Sequence, residues 1–465
     1  LLLSDGADSA FTPASCFLPR RQVNKLRFAK FMSDPTNRLR VATGVALLLV
    51  SLAYLVQIAS PLRLVGDGVD YLMQASSAVD GSGFRFHGQR SMRPPGYPAL
   101  IFLLAKAGIG TSWAMVALNC LLLGIGCWAS YFILRTSFGF ESGTAEVICL
   151  LTLLSFVTVK HVTLPLSDIP YFGFSMPCLL LLLRAEAEAR TRRYWHLAVA
   201  VPLIAFCIEL RTIGVALIPA FVWATVGGAS RVRRLPQWLR QHRIASFALL
   251  LVMLAAIACA GSIFLHSRYL QSSSKTLSRR GLGNFVSDLK DHTIEWGELA
   301  TNAPASKLPG VLELPMRIVG FFALLLWAVG IWEKRRKLDA QVWYVLGYAS
   351  IVLAWPWSDA RFWLPVLPLL MGHVLVGAGR IGSPRLLRPA ILAYCLCFCV
   401  LGIVALGYST RLTFAGSQFP ELYGDGTLRA TYRLVLLGEP PRNADDISPE
   451  ALYLLHRYEW RLARK

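Results

Sequence analysis

Long apolar runs alternate with short basic loops along most of this chain. The runs at 41–60, 112–134, 143–159, 170–183, 194–210, 212–228, 245–265, 314–332, 342–357, 362–379 and 390–407 are mostly free of charge. Most approach the length of about 20 residues that a helix needs to cross a bilayer, and they lack the one-sided stripe of a soluble surface helix. Inside lipid a backbone must satisfy its own hydrogen bonds, so each run is expected to be helical. The expected fold is an all-α polytopic membrane bundle of about eleven transmembrane helices.

The segment 99–110 is apolar but short, carries Lys106 and follows Pro94, Pro95 and Pro98. It falls below the ~17 residues of a spanning helix and is expected to lie at the interface. With that assignment Arg135, Arg184, Arg190, Arg192, Arg193, Arg231, Arg233, Arg234, Arg240, Arg243, Lys334, Arg335, Arg336, Lys337, Arg380, Arg385 and Arg388 all fall on one side. The positive-inside bias makes that side cytoplasmic, together with the N-terminal segment 1–40 and its basic run from Arg20 to Arg40. The expected organisation is a membrane domain at 41–408, with a first outer loop at 61–98, the interfacial helix 99–110 and a long outer loop at 266–313. A polar outer tail follows at 409–465, with a helix expected to start at Ser448-Pro449-Glu450.

Composition narrows the class further. Of 465 residues, 55% are hydrophobic and 16% charged, against about 25% charged in soluble domains. The net charge of +20 belongs to the inner loops, and no soluble basic domain is left to bind nucleic acid. The ten cysteines lack metal-ligand spacing. Cys395, Cys397 and Cys399 alternate in an apolar run and read as small core residues. The chain opens Leu1-Leu2-Leu3 without Met or a recognisable cleavable signal, so residue 1 reads as the end of a fragment or of a processed chain.

Polar chemistry concentrates on the outer side. Stretch 66–98, GDGVDYLMQASSAVDGSGFRFHGQRSMRPPGYP, is the first strongly polar interruption. Asp67 and Asp70 would share a helical face, as bases for an incoming hydroxyl or as solvated capping residues. Asp168 lies between two runs with little room for a loop, where an ionisable group is a functional candidate or a helix cap. Arg93, Arg211 and Arg361 stand on the side that the positive-inside bias disfavours. Their planar forks suit phosphate, and the alternative is pairing with Glu209 and Asp359. Lys160 and His161 are further candidates for an anion. No cluster has the spacing of a structural zinc site. Asp67, Asp70, Asp168 and His87 are residue types that could hold a hard divalent cation.

Taken in order, these motifs resemble the GT-C superfamily of polyprenyl-phosphate-sugar-dependent glycosyltransferases. The nearest likeness is to the branch of lipid A aminoarabinose transferases and protein O-mannosyltransferases. The motifs are Asp67-Gly68-Val69-Asp70-Tyr71, Arg93-Pro94-Pro95-Gly96-Tyr97-Pro98, Leu166-Ser167-Asp168-Ile169-Pro170 and Arg361-Phe362-Trp363-Leu364-Pro365. Gly68 stands where the usual Asp-Glu pair has Glu, and 409–465 is smaller than the outer C-terminal domain of many relatives. The resemblance implies inverting transfer of a sugar from a polyprenyl-phosphate donor to an acceptor hydroxyl on a lipid, glycan or protein. The catalytic set would be Asp67, Asp168 and Asp70, with Asp67 the first choice as base. Arg93, Arg211, Arg361, Lys160 and His161 would hold the donor phosphate. The expected location is a bacterial inner membrane with the site facing outward. A transporter or flippase of a lipid-linked or anionic solute would use the same arginines, but would place polar residues at mid-membrane depth, where these runs are mostly clean.

Overall fold

A computed structural model of the chain describes residues 35–188, 190–226, 282–355, 357–424, 426–441 and 443–462. Among the described residues the fold is helical apart from one two-residue hairpin, β1 (Arg85–Phe86) with β2 (Gln89–Arg90). The helices used below are α1 (Pro35–Val56), α2 (Gly66–Val79), α3 (Gly96–Lys106), α4 (Ser112–Thr136), α5 (Ser142–Leu154), α6 (Phe156–His161), α7 (Asp168–Ala187) and α8 (Arg190–Leu210). They continue with α9 (Leu217–Val226), α10 (Leu282–Thr301), α11 (Glu313–Lys334), α12 (Ala340–Leu353), α13 (Leu367–Ile381), α14 (Pro384–Thr413), α15 (Thr427–Tyr432) and α16 (Pro449–Tyr458).

Seven of the expected spans are helices long and apolar enough to cross a membrane, which makes this an integral membrane protein. Three others are shorter than the pattern suggests. Run 143–159 breaks at Ser155, whose extended backbone (φ −62°, ψ 131°) separates the 13 residues of α5 from the six of α6. Asn302 fills the break: its Oδ1 accepts from the Phe156 amide at 2.7 Å and its Nδ2 donates to the Leu154 carbonyl at 3.1 Å. A remote side chain thus satisfies backbone groups that an unbroken helix would pair internally. Run 212–228, described as far as residue 226, opens with a 3-10 turn, Thr212–Ala216, ahead of the ten residues of α9. Run 342–357 yields α12, capped by Asp339 accepting from the Val342 amide at 3.1 Å. Run 245–265, the arginines from 231 to 243 and the basic N-terminal residues up to 34 lie outside the described residues. Segment 99–110 forms α3, whose 11 residues extend only about 16 Å.

Small residues let the central helices approach. A Cβ on Gly173 of α7 would stand 2.6 Å from Leu122 Cβ of α4, and one on Gly126 of α4 would stand 2.4 Å from the Phe172 ring. This crossing buries Tyr171, Phe172 and Leu123 and fixes the end of α7 that begins with Asp168. The faces of α1, α11 and α14 away from the core expose Leu48, Leu49, Phe321, Leu392 and Leu396, as lipid-facing helices do. The three alternating cysteines are on α14 and are not core residues: Cys397 is exposed, Cys395 and Cys399 half-buried. A helix that packs on one side only cannot bury positions spread around its circumference.

The polar stretch 61–98 is structured, comprising α2, the hairpin and the start of α3. The described residues of 409–465 also fold back. Ser448 caps α16, its Oγ accepting from the Ala451 amide at 3.2 Å, as its sequence pattern suggests. Glu459 accepts from the Leu62 amide at 2.6 Å, Tyr432 OH accepts from the Leu64 amide at 3.0 Å, and Tyr458 OH meets Ser76 Oγ at 2.9 Å. Arg457 pairs with Asp80 at 2.9 Å. The C-terminal segment therefore clamps both ends of α2, the helix that carries Asp67 and Asp70.

Candidate active site

Asp67 lies in the first turn of α2, where a carboxylate complements the helix dipole. Asp70 is one turn on and shares its face, because both carboxylates meet the same guanidinium. Arg93 Nη2 is 2.7 Å from Asp67 Oδ1, and Arg93 Nε is 2.9 Å from Asp70 Oδ2. Burial works against the charge on Arg93, yet Asp67, Tyr71 and Asp70 outweigh it and hold the group above its ordinary value. Asp70 is also held by Gln74 Nε2 at 2.9 Å and Ser91 Oγ at 3.0 Å, and that Oγ accepts from the Arg93 amide at 3.0 Å. Asp67 instead shares its second oxygen with Arg361, Oδ2 to Nη2 at 2.8 Å.

Arg361 enters from a 3-10 segment, Ala360–Val366, that Asp359 starts by accepting from the Arg361 amide at 2.9 Å. The Asp359 carboxylate also meets Arg361 Nε at 3.1 Å. Arg211, in extended backbone just after α8, donates to the buried carboxylate of Asp168. The sequence-level alternative of an Arg211–Glu209 pair is replaced by this contact. Phe362 lies between the two arginines, its ring centroid 5.2 Å from Arg361 Cζ and 5.5 Å from Arg211 Cζ. Tyr71 OH meets Ser167 Oγ at 3.2 Å, tying α2 to the residue before Asp168.

Two glycines permit this convergence. A Cβ on Gly68 would stand 2.9 Å from Pro165 Cγ and 3.2 Å from the Pro165 carbonyl oxygen. Where the resemblance would have Glu, the chain instead lets α2 pack directly on the loop before Asp168. A Cβ on Gly96 would stand 2.5 Å from the Glu209 carbonyl group. The Arg93-Pro94-Pro95 element therefore rests on the last turn of α8, beside Arg211.

Six of the eight residues given a catalytic or phosphate-binding role from sequence meet here: Asp67, Asp70, Arg93, Asp168, Arg211 and Arg361. His161 is buried behind them, Nδ1 2.6 Å from the Val157 carbonyl and within electrostatic reach of Asp168; burial lowers its basicity. Lys160 is exposed at the end of α6. His87 is on the hairpin, 3.7 Å from Glu450, so the four residues considered for a hard cation are not gathered together. Among the described residues no group of three or more His, Cys, Asp or Glu is arranged to hold a metal ion. Sequence reasoning passed over Gln74, Ser91 and Phe362. Gln74 had a signal, one helical turn after Asp70; Ser91 and Phe362 are recognisable only from contact.

The class these features define is a helical membrane protein with three carboxylates and three guanidiniums interlocked around the start of α2 and the first turn of α7. Its fold is that of a solved structure, ArnT from Cupriavidus metallidurans in the apo state. The TM-score is 0.50 at 14% sequence identity, over 90% of this chain and 85% of that one. A second structure of that ArnT, bound to undecaprenyl phosphate, matches with a TM-score of 0.49 at 14% identity, over 90% and 84% of the two chains. At such identity the likeness is one of fold. No protein-family model matches the sequence, and no curated protein does.

Proposed function

We propose that this protein is a glycosyltransferase that moves a sugar from a polyprenyl-phosphate donor to an acceptor hydroxyl at the extracytoplasmic membrane face, with inversion. The observation that carries this reading is the sharing of Asp67 between Arg93 and Arg361, beside the Asp168–Arg211 pair. The ArnT-like fold supports it. In this reading about eleven spans cross a bacterial inner membrane with the N-terminus inside.

The acceptor oxygen attacks the anomeric carbon as the bond to the donor phosphate breaks, and the phosphate leaves with the bonding electrons. Arg93, Arg361 and Arg211 stabilise the charge that develops on it. A phosphate entering between Arg93 and Arg361 displaces Asp67 from one or both, and the freed carboxylate takes the proton of the attacking hydroxyl. Asp70 is fully engaged by Arg93, Ser91 and Gln74, so it aligns Arg93, while Asp67 is the base. Asp168 fixes Arg211 and orients the acceptor. Lys160, exposed at the end of α6, borders the donor side, and His161 backs Asp168 from behind.

Purified protein in nanodiscs, supplied with a polyprenyl-phosphate sugar, tests this. Asp67→Asn is expected to fold normally and lose transfer, and Arg361→Ala to weaken binding of the polyprenyl phosphate. Normal turnover by Asp67→Asn would remove the base assignment.

A further inference from the structure

The Arg361 segment is pinned from a second side by a helix the sequence places in the long outer loop. Trp363, two residues past Arg361, is fully buried, and its Nε1 donates to Glu295 Oε2 at 2.7 Å. The same oxygen is 2.7 Å from His292 Nδ1, one turn earlier on α10. The Trp363 ring also meets Trp296 edge-on at 5.1 Å. Glu295 is buried, its Oε1 has no hydrogen-bond partner among the described residues, and His292 pairs with it through Oε2. At its far end α10 runs into Asn302, which bonds to Phe156 and Leu154 and donates to the Phe398 carbonyl at 3.0 Å. One helix thus buttresses both the Arg361 segment and the break before His161.

We propose that Glu295 and His292 are positioning residues for Arg361, acting through Trp363, and that affinity for the lipid phosphate follows the protonation of His292. This rests on the glycosyltransferase reading above. A buried carboxylate is strongly disfavoured without a compensating cation. With His292 protonated, Glu295 accepts from both the imidazolium and the indole and holds Trp363 in place. With His292 neutral, Glu295 loses its cation, its grip on the indole weakens, and the 3-10 turn that aims Arg361 loosens. The other groups near the pair are Asp288 and the Trp355 carbonyl at His292, and Glu298 one turn further along α10, which is itself faced by Asp359 and by Lys160 of α6. Burial depresses the basicity of His292, but Glu295, the Trp355 carbonyl and Asp288 outweigh it, so its value is raised. The paired state is therefore complete below the unperturbed histidine value and is lost as pH rises through the folded one.

The sign separates this from the ligand's own titration. A phosphate monoester gains its second charge near pH ~6, which strengthens binding to arginines as pH rises. The experiment measures undecaprenyl phosphate affinity of the full chain in nanodiscs between about pH 6 and about pH 8.5, a window that brackets histidine titration. Wild type is expected to weaken by about tenfold across the window, one pKa unit of coupling. His292→Asn and Trp363→Phe are expected to bind more weakly at the acid end and to lose the dependence, and Glu295→Gln likewise. Trp363→Phe keeps an aromatic ring at this fully buried position, removes the indole donor together with part of the ring volume, and leaves no unpaired charge, so it complements the charge variants. A flat or rising wild-type profile, or an unchanged profile in the folded Trp363→Phe, with Arg361→Ala still defective, would overturn the proposal and leave the glycosyltransferase reading standing. Absence of binding by wild type and Arg361→Ala alike would overturn both.

Discussion

Gly96→Ala isolates geometry from charge at this site. The added methyl would stand 2.5 Å from the Glu209 carbonyl carbon and oxygen and 2.6 Å from the Leu210 nitrogen, whereas ordinary contact begins at 3.4 Å. All three obstacles are backbone atoms in the last turn of α8, so no rotamer change relieves them. The Arg93-Pro94-Pro95 element must lift by about 0.9 Å (3.4 less 2.5) from the end of α8. Overpacking of this kind costs about 1–3 kcal/mol of stability. A displacement near 1 Å between groups that must act together costs about 10²-fold in rate. Arg93 and Arg211 sit on the two sides of the altered contact, so lipid-phosphate affinity and transfer are expected to fall while every charged residue is intact. Thermal unfolding and undecaprenyl phosphate binding in nanodiscs measure the two effects. Gly66→Ala is the control, since its Cβ meets nothing within 4 Å. If Gly96→Ala melts and binds as Gly66→Ala does, the close contact with α8 does not organise the site.

Three further outcomes follow from the same contacts. Asp168→Asn leaves Arg211 buried without its partner and is expected to destabilise by about 3–5 kcal/mol; adding Arg211→Met should recover most of the stability and none of the transfer, in unfolding and turnover assays. Gly68→Glu recreates the acidic pair of the resembled family, but its Cβ would stand 2.9 Å from Pro165 Cγ, so loss of stability and transfer is expected; a neutral result would refute the packing role. Asp80 is held below its ordinary value, first by its hydrogen bond from Arg457, so this contribution is complete above the unfolded carboxylate value and disappears as pH falls through the folded one. Because Asp80 is exposed and Arg457 only half-buried, Arg457→Ala is expected to cost less than about 1 kcal/mol and to speed amide exchange in α16 at neutral pH, with the difference from wild type vanishing in acid.

Helical membrane architecture, the short α3 and the capped α16 were legible because each depends on local properties: run length, charge and capping residues. So were Asp67, Asp168 and the arginines, since polar groups at the ends of apolar runs stand out against their surroundings. The break at Ser155 was not legible, because the residue that makes it tolerable is Asn302, far along the chain. Nor was the role of Gly68, which looks like a departure from a motif until Pro165 is seen against it.

Run length and charge pattern are enough to specify a lipid-embedded helical bundle and to mark which of its residues are candidates for chemistry. Hydrophobic run length and charge bias act without reference to distant parts of the chain. The pairing comes from the packed fold: Asp67 between Arg93 and Arg361, Asp168 with Arg211, Asp70 held as a structural tie. That fold also turned part of an apparent loop into α10, and a polar tail into a clamp on α2. Such assignments depend on which side chains come within about 3 Å of each other, and at that range an ion pair is fixed by packed helices and not by spacing along the chain.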